Sequence, residues 1–330
     1  MVRLLGNYKA DNAGSQMFDA NQTIIDAFIS HLMRALQEVF PGTEKELASA
    51  LERAARTALE TLSNCDCPYH DLEHTILVTD AGLAIMRGRQ LRQGDITPRE
   101  WVQAVVALLF HDVGYVRGLL KDDREGSYVA DASGRRVNTP ASATDAALTP
   151  YHVNRGCLYV QDRFASDPVI DARAVAGYIE MTRFPVPGEM HYQETDTLAA
   201  LVRAADLIGQ MADPGYPVKQ ARLFAEFQET GEARRLGLNS AAELRATFPS
   251  FFYQQVYPYI TSALDYLNLT RDGRLWSANL YNHLHGGAIS LPERISQWAE
   301  MPEAELFMSD AEDDQSSDDT ANKASMGARH

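Results

Sequence analysis

The chain has 330 residues, of which 45% are hydrophobic and 23% are charged, and its formal net charge is −15 at pH 7. This composition is ordinary for a globular protein with a substantial core, and the acidic balance excludes a uniformly basic surface for duplex nucleic acid. No segment has the ~18 apolar residues of a membrane span, and the N-terminus lacks a basic region followed by an apolar one, so we expect a cytoplasmic protein without a membrane partner.

Both ends of the chain are polar. Residues 1–16 are polar and contain glycine, and we expect them to be flexible. Residues 309–320 carry six acidic residues and no basic residue. We therefore predict that segment 309–330 is a disordered acidic tail.

Two helices are predicted in residues 17–64. Apolar residues recur at helical spacing over 18–40, and a Pro-Gly pair then ends the helix. Thr43 with Glu46 three residues later is typical of a capping box, which predicts a second helix that runs through Leu62.

Residues 65–230 are predicted to form the core as a set of helices. The helix over 97–112 is apolar on all sides in its second half, which is typical of a central helix. Residues 117–149 are a long polar insertion, which we expect to be a lid or binding loop. The other helices predicted here span 69–86, 152–164, 171–182 and 195–211, and no segment has a convincing strand pattern.

Residues 231–308 are predicted to be a C-terminal helical extension. Segment 251–267, FFYQQVYPYITSALDYL, fits a helix disturbed by Pro258, and a last helix is predicted over 276–285. The aromatic residues of this region favour core packing or a subunit contact, so a homo-oligomer stays open. The chain as a whole is predicted to be all-α.

The three cysteines are Cys65, Cys67 and Cys157. An odd number in so long a chain argues against a disulfide framework and favours a reducing compartment. A zinc knuckle at Cys65 and Cys67 would need a second Cys/His pair at suitable spacing, so we predict free thiols instead.

Two histidines in the segment YHDLEH (69–74) are candidates for a metal pocket. His70 and His74 are four residues apart, so on a helix they lie on one face, one turn apart. One imidazole can then bind the metal while the other faces the substrate. The alternative is a partly exposed pair of helix histidines.

Three further residues lie in apolar helices. His111 and Asp112 end the most apolar helix, where an ionised carboxylate is costly unless it is paired or bound to a cation. A nitrogen ligand beside an oxygen ligand suits a divalent metal, although a buried salt bridge would serve too. Asp206 lies mid-helix among apolar residues, where its alternative partner is Arg203 on the adjacent turn.

This pattern resembles the HD superfamily of metal-dependent phosphohydrolases, whose members carry a His, then His-Asp, then a distant Asp on separate helices. The resemblance spans residues 65–215 and implies an HD-type helical bundle, here with extra N- and C-terminal helices. It implies that one divalent metal site is formed by His74, His111, Asp112 and Asp206.

The segment YHDLEH is similar to the YHN-x-x-H segment of the cyclic-nucleotide phosphodiesterases. By this resemblance His70 protonates the leaving oxygen, and Asp112 orients the attacking water or accepts its proton as well as binding metal. The implied reaction is hydrolysis of a phosphate ester of a nucleotide or related small molecule by metal-activated water.

The sequence departs from those enzymes at Tyr115, which stands where they have a second histidine in HD-x-x-H. His152 resembles the additional histidine of binuclear HD proteins, so it is a candidate for a second metal or for a substrate phosphate, unless it caps or packs a helix start. The number of metal ions per chain, one or two, therefore stays open, and so does the identity of the metal among Mn, Fe, Zn, Mg, Co and Ni.

Basic residues near these segments are candidate phosphate clamps, although each can also be an ordinary surface cation. They are Arg117, Lys121, Arg155 and Arg183.

Two other functions stay open. An HD-fold di-iron oxygenase would need two irons and at least one more histidine ligand, for which His152 is the candidate. A catalytically inactive regulatory module would bind a metal or ligand without turnover.

Overall fold

The computed structural model describes residues 18–285. The predicted flexible segment 1–16, the acidic tail 309–330 and the part of the C-terminal extension beyond residue 285 lie outside the described residues. Within 18–285 the chain forms twelve α-helices and one two-stranded sheet, so the prediction of a predominantly all-α fold is confirmed.

The helices follow one another in chain order with a small hairpin after the fourth. The first six are α1 (Ala20–Val39), α2 (Lys45–Leu62), α3 (Leu72–Gln93), α4 (Pro98–Phe110), α5 (His152–Arg163) and α6 (Ala172–Glu180). The next six are α7 (Leu198–Met211), α8 (Tyr216–Thr230), α9 (Glu232–Arg235), α10 (Ala241–Phe251), α11 (Thr261–Leu267) and α12 (Arg271–Leu284). The strands are β1 (Ser127–Val129) and β2 (Arg136–Asn138), which pair antiparallel between α4 and α5.

The start of α2 differs from the predicted capping box. Glu44 is the N-cap residue of α2, and its side chain makes no capping hydrogen bond. The Thr43 hydroxyl donates instead to the Phe40 carbonyl oxygen at 2.7 Å. The prediction of a box between Thr43 and Glu46 is wrong because the preceding turn uses the threonine hydroxyl.

Helix α4 is the central helix of the fold, as its apolar sequence predicts. Thr97 and Glu100 form a capping box at its start, next to Pro98 at the first helical position. Every residue of α4 from Trp101 to Phe110 is buried. The helix packs against α2, α3, α6 and α7, so its C-terminal end points into the interior of the protein.

Helices α3 and α7 lie against each other at close range. Gly209 makes this possible, because a Cβ atom there would lie only 2.6 Å from Val78 Cα. Helices α11 and α12 pack on the same pair, so the C-terminal extension supports α3 and α7. The close approach matters because α3 carries His74 and α7 carries Asp206.

The insertion 117–149 is a built structure rather than the predicted loop. It contains β1 and β2, which the sequence analysis missed, and a 3-10 helix begins at Asp145. Arg155 on α5 binds the insertion and the residues just before it. Its guanidinium donates to the carbonyl oxygens of Gly114, Val116 and Val129. It also pairs with Asp123 at 2.9 Å.

The segment around Pro258 interrupts the helical path, as predicted. A π-helical turn spans Phe252–Val256 and a 3-10 turn spans Tyr257–Tyr259 before α11 begins. The last helix, α12, begins at Arg271 rather than at the predicted residue 276, because the Thr270 side chain caps it.

Neither a disulfide nor a membrane-crossing helix occurs in residues 18–285. Cys65, Cys67 and Cys157 are all free thiols, as predicted. No helix of this part of the chain combines the length and apolar character that a membrane span needs.

Candidate metal centre

Three helices bring two histidines and two aspartates together. His74 lies in the first turn of α3, where its backbone N–H donates to Asp71 Oδ1 at 3.0 Å. His111 is the C-cap residue of α4 and Asp112 follows it, while Asp206 lies within α7. Each side chain is therefore fixed by a buried helix or by a helix end.

The two imidazoles each lie close to one oxygen of Asp112 and one of Asp206. Asp112 Oδ2 lies 3.3 Å from His74 Nε2 and 3.2 Å from His111 Nε2. Asp206 Oδ1 lies 3.7 Å from the first of these nitrogens and 3.6 Å from the second. His74, His111 and Asp206 each offer one ligand atom that lies within 4.8 Å of the other two. Ligands of a single metal ion have such a spacing.

Several of these buried atoms have no hydrogen-bond partner in the described part of the chain. They are His74 Nε2, His111 Nε2 and Asp112 Oδ2. His111 Nδ1 donates to the Leu108 carbonyl oxygen at 2.7 Å, so in the neutral ring Nε2 carries a lone pair. Lone pairs that face a carboxylate repel it unless a proton or a cation lies between them. These buried groups could therefore hold a metal ion, and two nitrogens with carboxylate oxygens suit a divalent one.

The electrostatics of the cluster favour a positive charge at its centre. Burial by itself lowers the pKa of His111, but the carboxylates of Asp112 and Asp206 outweigh it and raise that pKa well above its ordinary value. Burial likewise raises the pKa of Asp112, and the imidazoles of His111, His74 and His70 lower it well below its ordinary value. A bound cation would also supply the positive charge that balances these carboxylates.

The alternative partner for Asp206, Arg203, points elsewhere. Its guanidinium donates to the carbonyl oxygens of Tyr192 and Glu194 and lies 4.7 Å from the ring centroid of Tyr259. Within residues 18–285 neither Asp112 nor Asp206 has an arginine or lysine at salt-bridge distance, and the nitrogens near their carboxylates belong to histidines.

His70 stands beside the cluster but not on α3. The prediction that it shares a helix face with His74 is wrong, because Asp71 caps α3 and the helix begins at Leu72. The two imidazole rings are nevertheless neighbours, with centroids 5.2 Å apart. His70 therefore lies beside His74, as the four-residue spacing predicted, although it belongs to the turn before α3.

Glu226 on α8 holds His70 in place. Its Oε1 accepts hydrogen bonds from the backbone N–H groups of Tyr69 and His70, at 2.6 and 3.1 Å. Its Oε2 accepts one from His70 Nδ1 at 2.6 Å. Burial lowers the pKa of His70, but the Glu226 carboxylate outweighs it and raises this pKa to about 9. The Glu226 carboxylate therefore favours the protonated form of His70.

Tyr115 lies between two imidazoles. Its ring stacks on His70 with centroids 4.9 Å apart and on His152 with centroids 4.4 Å apart, and both pairs are nearly parallel. The ring is buried and packs against Cys67 on a third side. Tyr115 is therefore an aromatic spacer between His70 and His152.

His152 faces the cluster from the first turn of α5. Its Nδ1 donates to the Thr149 carbonyl oxygen at 2.6 Å, and its Nε2 lies 3.8 Å from Asp112 Oδ1. Burial lowers the pKa of His152, although the nearby Asp112 carboxylate opposes this effect. The two groups of close ligand atoms found in residues 18–285 are His74 with His111 and Asp206, and His70 with His74 and Asp112, so neither includes His152.

Access to the cluster is narrow. The His111 side chain is 1% exposed and that of His74 is 4% exposed. Three neighbours are more open: Asp206 at 19%, His152 at 18% and His70 at 16%. The exposed surface at the cluster therefore belongs mainly to these three side chains.

The predicted phosphate clamps are not gathered at the cluster. Arg155 is fully buried and bound to the insertion, so its proposed phosphate role is wrong. The Arg117 guanidinium pairs with Asp145 and Asp66 at 2.6 Å each.

The other two basic residues also have partners away from the cluster. The Arg183 guanidinium pairs with Glu180 and donates to Asn154. Lys121 is 76% exposed, and its nearest carboxylate belongs to Asp162 at 3.9 Å. No contact joins either residue to His74, Asp112 or Asp206 in the described part of the chain.

Sequence reasoning missed Glu226 altogether. It is separated from His70 by more than 150 residues, and only the folded chain joins them. The available signal was its position on α8, where it is a buried acid among the apolar residues Leu223, Phe224 and Phe227. The reasoning that singled out Asp206 applies to it equally.

The fold and the site define a predominantly α-helical protein with a buried histidine–aspartate cluster that could hold a metal ion. The chain belongs to the Npun_R2479-like family, whose model matches residues 18–286. No curated protein and no solved structure matches the chain. The family match covers nearly the same residues as the structure, so the cluster lies inside the family's shared region.

Proposed function

We propose that this protein is a metal-dependent phosphohydrolase that hydrolyses a phosphate ester of a nucleotide or a related small molecule. The resemblance to the HD superfamily suggests this reaction. The observation that carries the proposal is the convergence of unpaired, buried nitrogen and oxygen atoms from His74, His111 and Asp112 beside Asp206. A proton-bearing His70 next to this cluster supports acid–base chemistry rather than a purely structural ion site.

In this proposal the metal ligands are His74, His111, Asp112 and Asp206. A bound divalent ion would supply Lewis acidity towards a phosphoryl oxygen and would lower the pKa of bound water. The His74 backbone N–H donates to Asp71 at the start of α3, and His111 Nδ1 donates to the Leu108 carbonyl oxygen, which orients the His111 imidazole. Such outer contacts fix the tautomer and direction of a metal-binding histidine.

His70 is the proposed proton donor. Its Nδ1–H is committed to Glu226, so the proton on Nε2 is the one available to a leaving oxygen. Glu226 holds the ring by hydrogen bonds to the backbone and side chain together, which fixes the position of that proton. In this proposal the same carboxylate also stabilises the protonated imidazole before proton transfer to the leaving oxygen.

The proposal predicts separate effects for ligand and proton-donor substitutions. Replacing His74 or Asp112 with Ala should remove the metal and abolish hydrolysis of an aryl phosphodiester. His70→Ala should keep the metal and lower kcat by about 10²–10⁴-fold, the usual contribution of a general acid. Elemental analysis of each purified variant, run beside the hydrolysis assay, measures both effects.

His283→Ala is the matched control, because His283 on α12 also bonds a backbone carbonyl, that of Met211 at 2.8 Å, and makes no contact with the four ligands. It should keep both metal and activity. Full metal content in the His74→Ala and Asp112→Ala variants would reject the ligand assignment. A metal-loaded wild-type protein that hydrolyses no cyclic, linear or monoester nucleotide would reject the reaction.

A further inference from the structure

The two carboxylate oxygens of Asp112 face two different sides. Oδ2 lies 3.3 Å from His74 Nε2 and 3.2 Å from His111 Nε2, on the side of the proposed metal ion. Oδ1 lies 3.8 Å from His152 Nε2. A carboxylate placed in this way can bridge two metal ions, provided that the second side has enough ligands of its own.

Two histidines that are not among the proposed ligands lie near Asp112. His152 can offer only Nε2 to an ion, because its Nδ1 donates to the Thr149 carbonyl oxygen at 2.6 Å. His70 can likewise offer only Nε2, because its Nδ1 donates to Glu226 Oε2 at 2.6 Å. Together with Asp112 the two imidazoles would supply three ligand atoms, the usual number of protein ligands at a catalytic metal ion.

Tyr115 keeps these two imidazoles apart. Its ring stacks on His70 with centroids 4.9 Å apart and on His152 with centroids 4.4 Å apart, at interplanar angles of 16° and 15°. Ligand atoms lie about 2.0–2.2 Å from their ion, so two ligands of one ion are at most ~4.4 Å apart. Among the residues that the structure describes, no group of three ligand atoms within 4.8 Å of one another contains His152. Tyr115 itself has a phenol oxygen, which is not one of the usual ligands of such ions.

The backbone around Tyr115 fixes the position of its ring. The Arg155 guanidinium donates to the carbonyl oxygens of Gly114 and Val116, the residues on either side, at 2.7 and 2.9 Å. Gly114 also packs directly on the start of α5, since a Cβ atom there would lie only 1.9 Å from the His152 carbonyl oxygen. The side chain of Tyr115 is buried, so the spacer is held by its neighbours on every side.

We propose that the centre binds one metal ion per chain and that Tyr115 sets this number by separating His70 from His152. This inference rests on the metal site of the proposed function and specifies how many ions it holds. His152 is then a neighbour of the centre rather than a ligand of a second ion. Oxygen chemistry at two irons would need the ligands that Tyr115 keeps apart.

The metal content of the wild-type protein is the first test. The full chain is stripped with a chelator, reloaded with Mn²⁺ and freed of unbound ion, and elemental analysis then gives the number of ions per chain. We expect one ion, which His152→Ala should retain. The EPR spectrum should be that of isolated Mn²⁺, without the spin coupling of an adjacent pair. A spin-coupled pair in the wild type, or the loss of one of two ions in His152→Ala, would overturn the inference.

Substitutions of Tyr115 test its role in setting the number. Tyr115→His adds an imidazole beside His152 and Asp112, so the second side gains a third ligand and the variant should bind two ions as a coupled pair. Tyr115→Phe is the matched control, because it keeps the aromatic spacer without adding a ligand, and it should bind one ion. His152→Ala introduced into Tyr115→His should return the content to one ion.

A second ligand-bearing variant keeps this test decisive if Tyr115→His does not fold. Tyr115→Asp adds a carboxylate at the same position and has the same expected content of two ions. A folded variant of either kind that binds one ion would overturn the role of Tyr115, and so would two ions in Tyr115→Phe. Circular dichroism of each variant establishes that it is folded.

The outcomes separate this inference from the proposed function. A wild-type protein that holds a coupled pair of ions and hydrolyses a phosphate ester would overturn the inference and leave the function intact. A wild-type protein that holds one ion but hydrolyses no ester would reject the function and leave the inference intact. A wild-type protein that binds no ion would reject both.

Discussion

Glu226 illustrates how one carboxylate sets the chemistry of a neighbouring histidine. It accepts hydrogen bonds from the backbone of Tyr69 and from both the backbone and the ring of His70. A buried carboxylate with three donors is held rigidly, and its charge stabilises the protonated imidazole. We infer that Glu226 is a positioning residue that acts through His70.

Glu226→Gln should keep the metal and slow hydrolysis by about 10–100-fold, the range typical of supporting residues. The loss should be large for alkyl esters, whose leaving oxygen needs a proton, and small for esters of acidic phenols, which leave without one. A merely structural role would slow both classes of ester equally. Metal analysis and rates for the two classes make the comparison.

Glu229→Gln is the matched control on the same helix. Glu229 lies one turn further along α8 and bonds Thr144, not His70. It should leave the ratio of alkyl to aryl rates unchanged. An equal slowing of both classes in Glu226→Gln would contradict the positioning role.

The residues of the cluster differ in how far the sequence could predict them. Asp112 and Asp206 stand out because a carboxylate in an apolar helix needs a partner. Glu226 met the same criterion, but its partner His70 is distant in the chain. Arg155 was misjudged because a buried arginine bound to carbonyl oxygens has the same sequence signature as a surface cation.

At the scale of helices, the approach of α3 to α7 positions the proposed ligands. Val78 follows His74 by one turn on α3, and Gly209 follows Asp206 by about one turn on α7. The two backbones meet at this pair, where a Cβ atom on Gly209 would lie 2.6 Å from Val78 Cα. A larger residue at 209 must push the helices apart next to the cluster.

Gly209→Ala should therefore lower the free energy of unfolding by about 1–3 kcal/mol, as overpacking does. It should also weaken metal binding, because Asp206 moves away from His74. Gly177→Ala in α6 is the matched control: nothing lies within 4 Å of its added Cβ, and helix propensity should raise the stability by about 0.5–1 kcal/mol. Denaturant unfolding and metal titration of both variants measure the two effects, and identical behaviour would contradict the packing argument.

Element types were predictable from apolar spacing, whereas several boundaries depended on local contacts. The helical pattern of α4 identified a central helix because every face of its second half is apolar. The strands β1 and β2 have three residues each, too few to show an alternating pattern. The hairpin is held by Arg155 from α5, and no local sequence signal reveals that contact.

Across the whole molecule, most buried apolar side chains form one cluster that extends from α1 to α12. The His/Asp cluster lies inside it, at the junction of α3, α4 and α7. Two carboxylates in such surroundings oppose folding unless a positive charge balances them. Because the proposed ligands come from positions 74, 111, 112 and 206, an ion that binds them would join the consecutive helices α3 and α4 to α7, which lies much further along the chain.

Metal removal should therefore lower the stability of the folded chain. An ion that binds the folded protein and not the unfolded one adds about 2.7 kcal/mol at a free concentration 100 times its Kd. We expect a chelator to lower Tm by several degrees and the returned ion to restore it. Asp206→Asn should abolish this metal-dependent shift, whereas Asp80→Asn, which changes a carboxylate of α3 that pairs with His31, should retain it. Thermal unfolding with Mn, Fe, Zn, Mg, Co and Ni in turn would also rank the ions. An equal shift in the wild type and in Asp206→Asn would mean that the stabilising ion binds elsewhere, because the loss of a carboxylate ligand must weaken binding at this cluster.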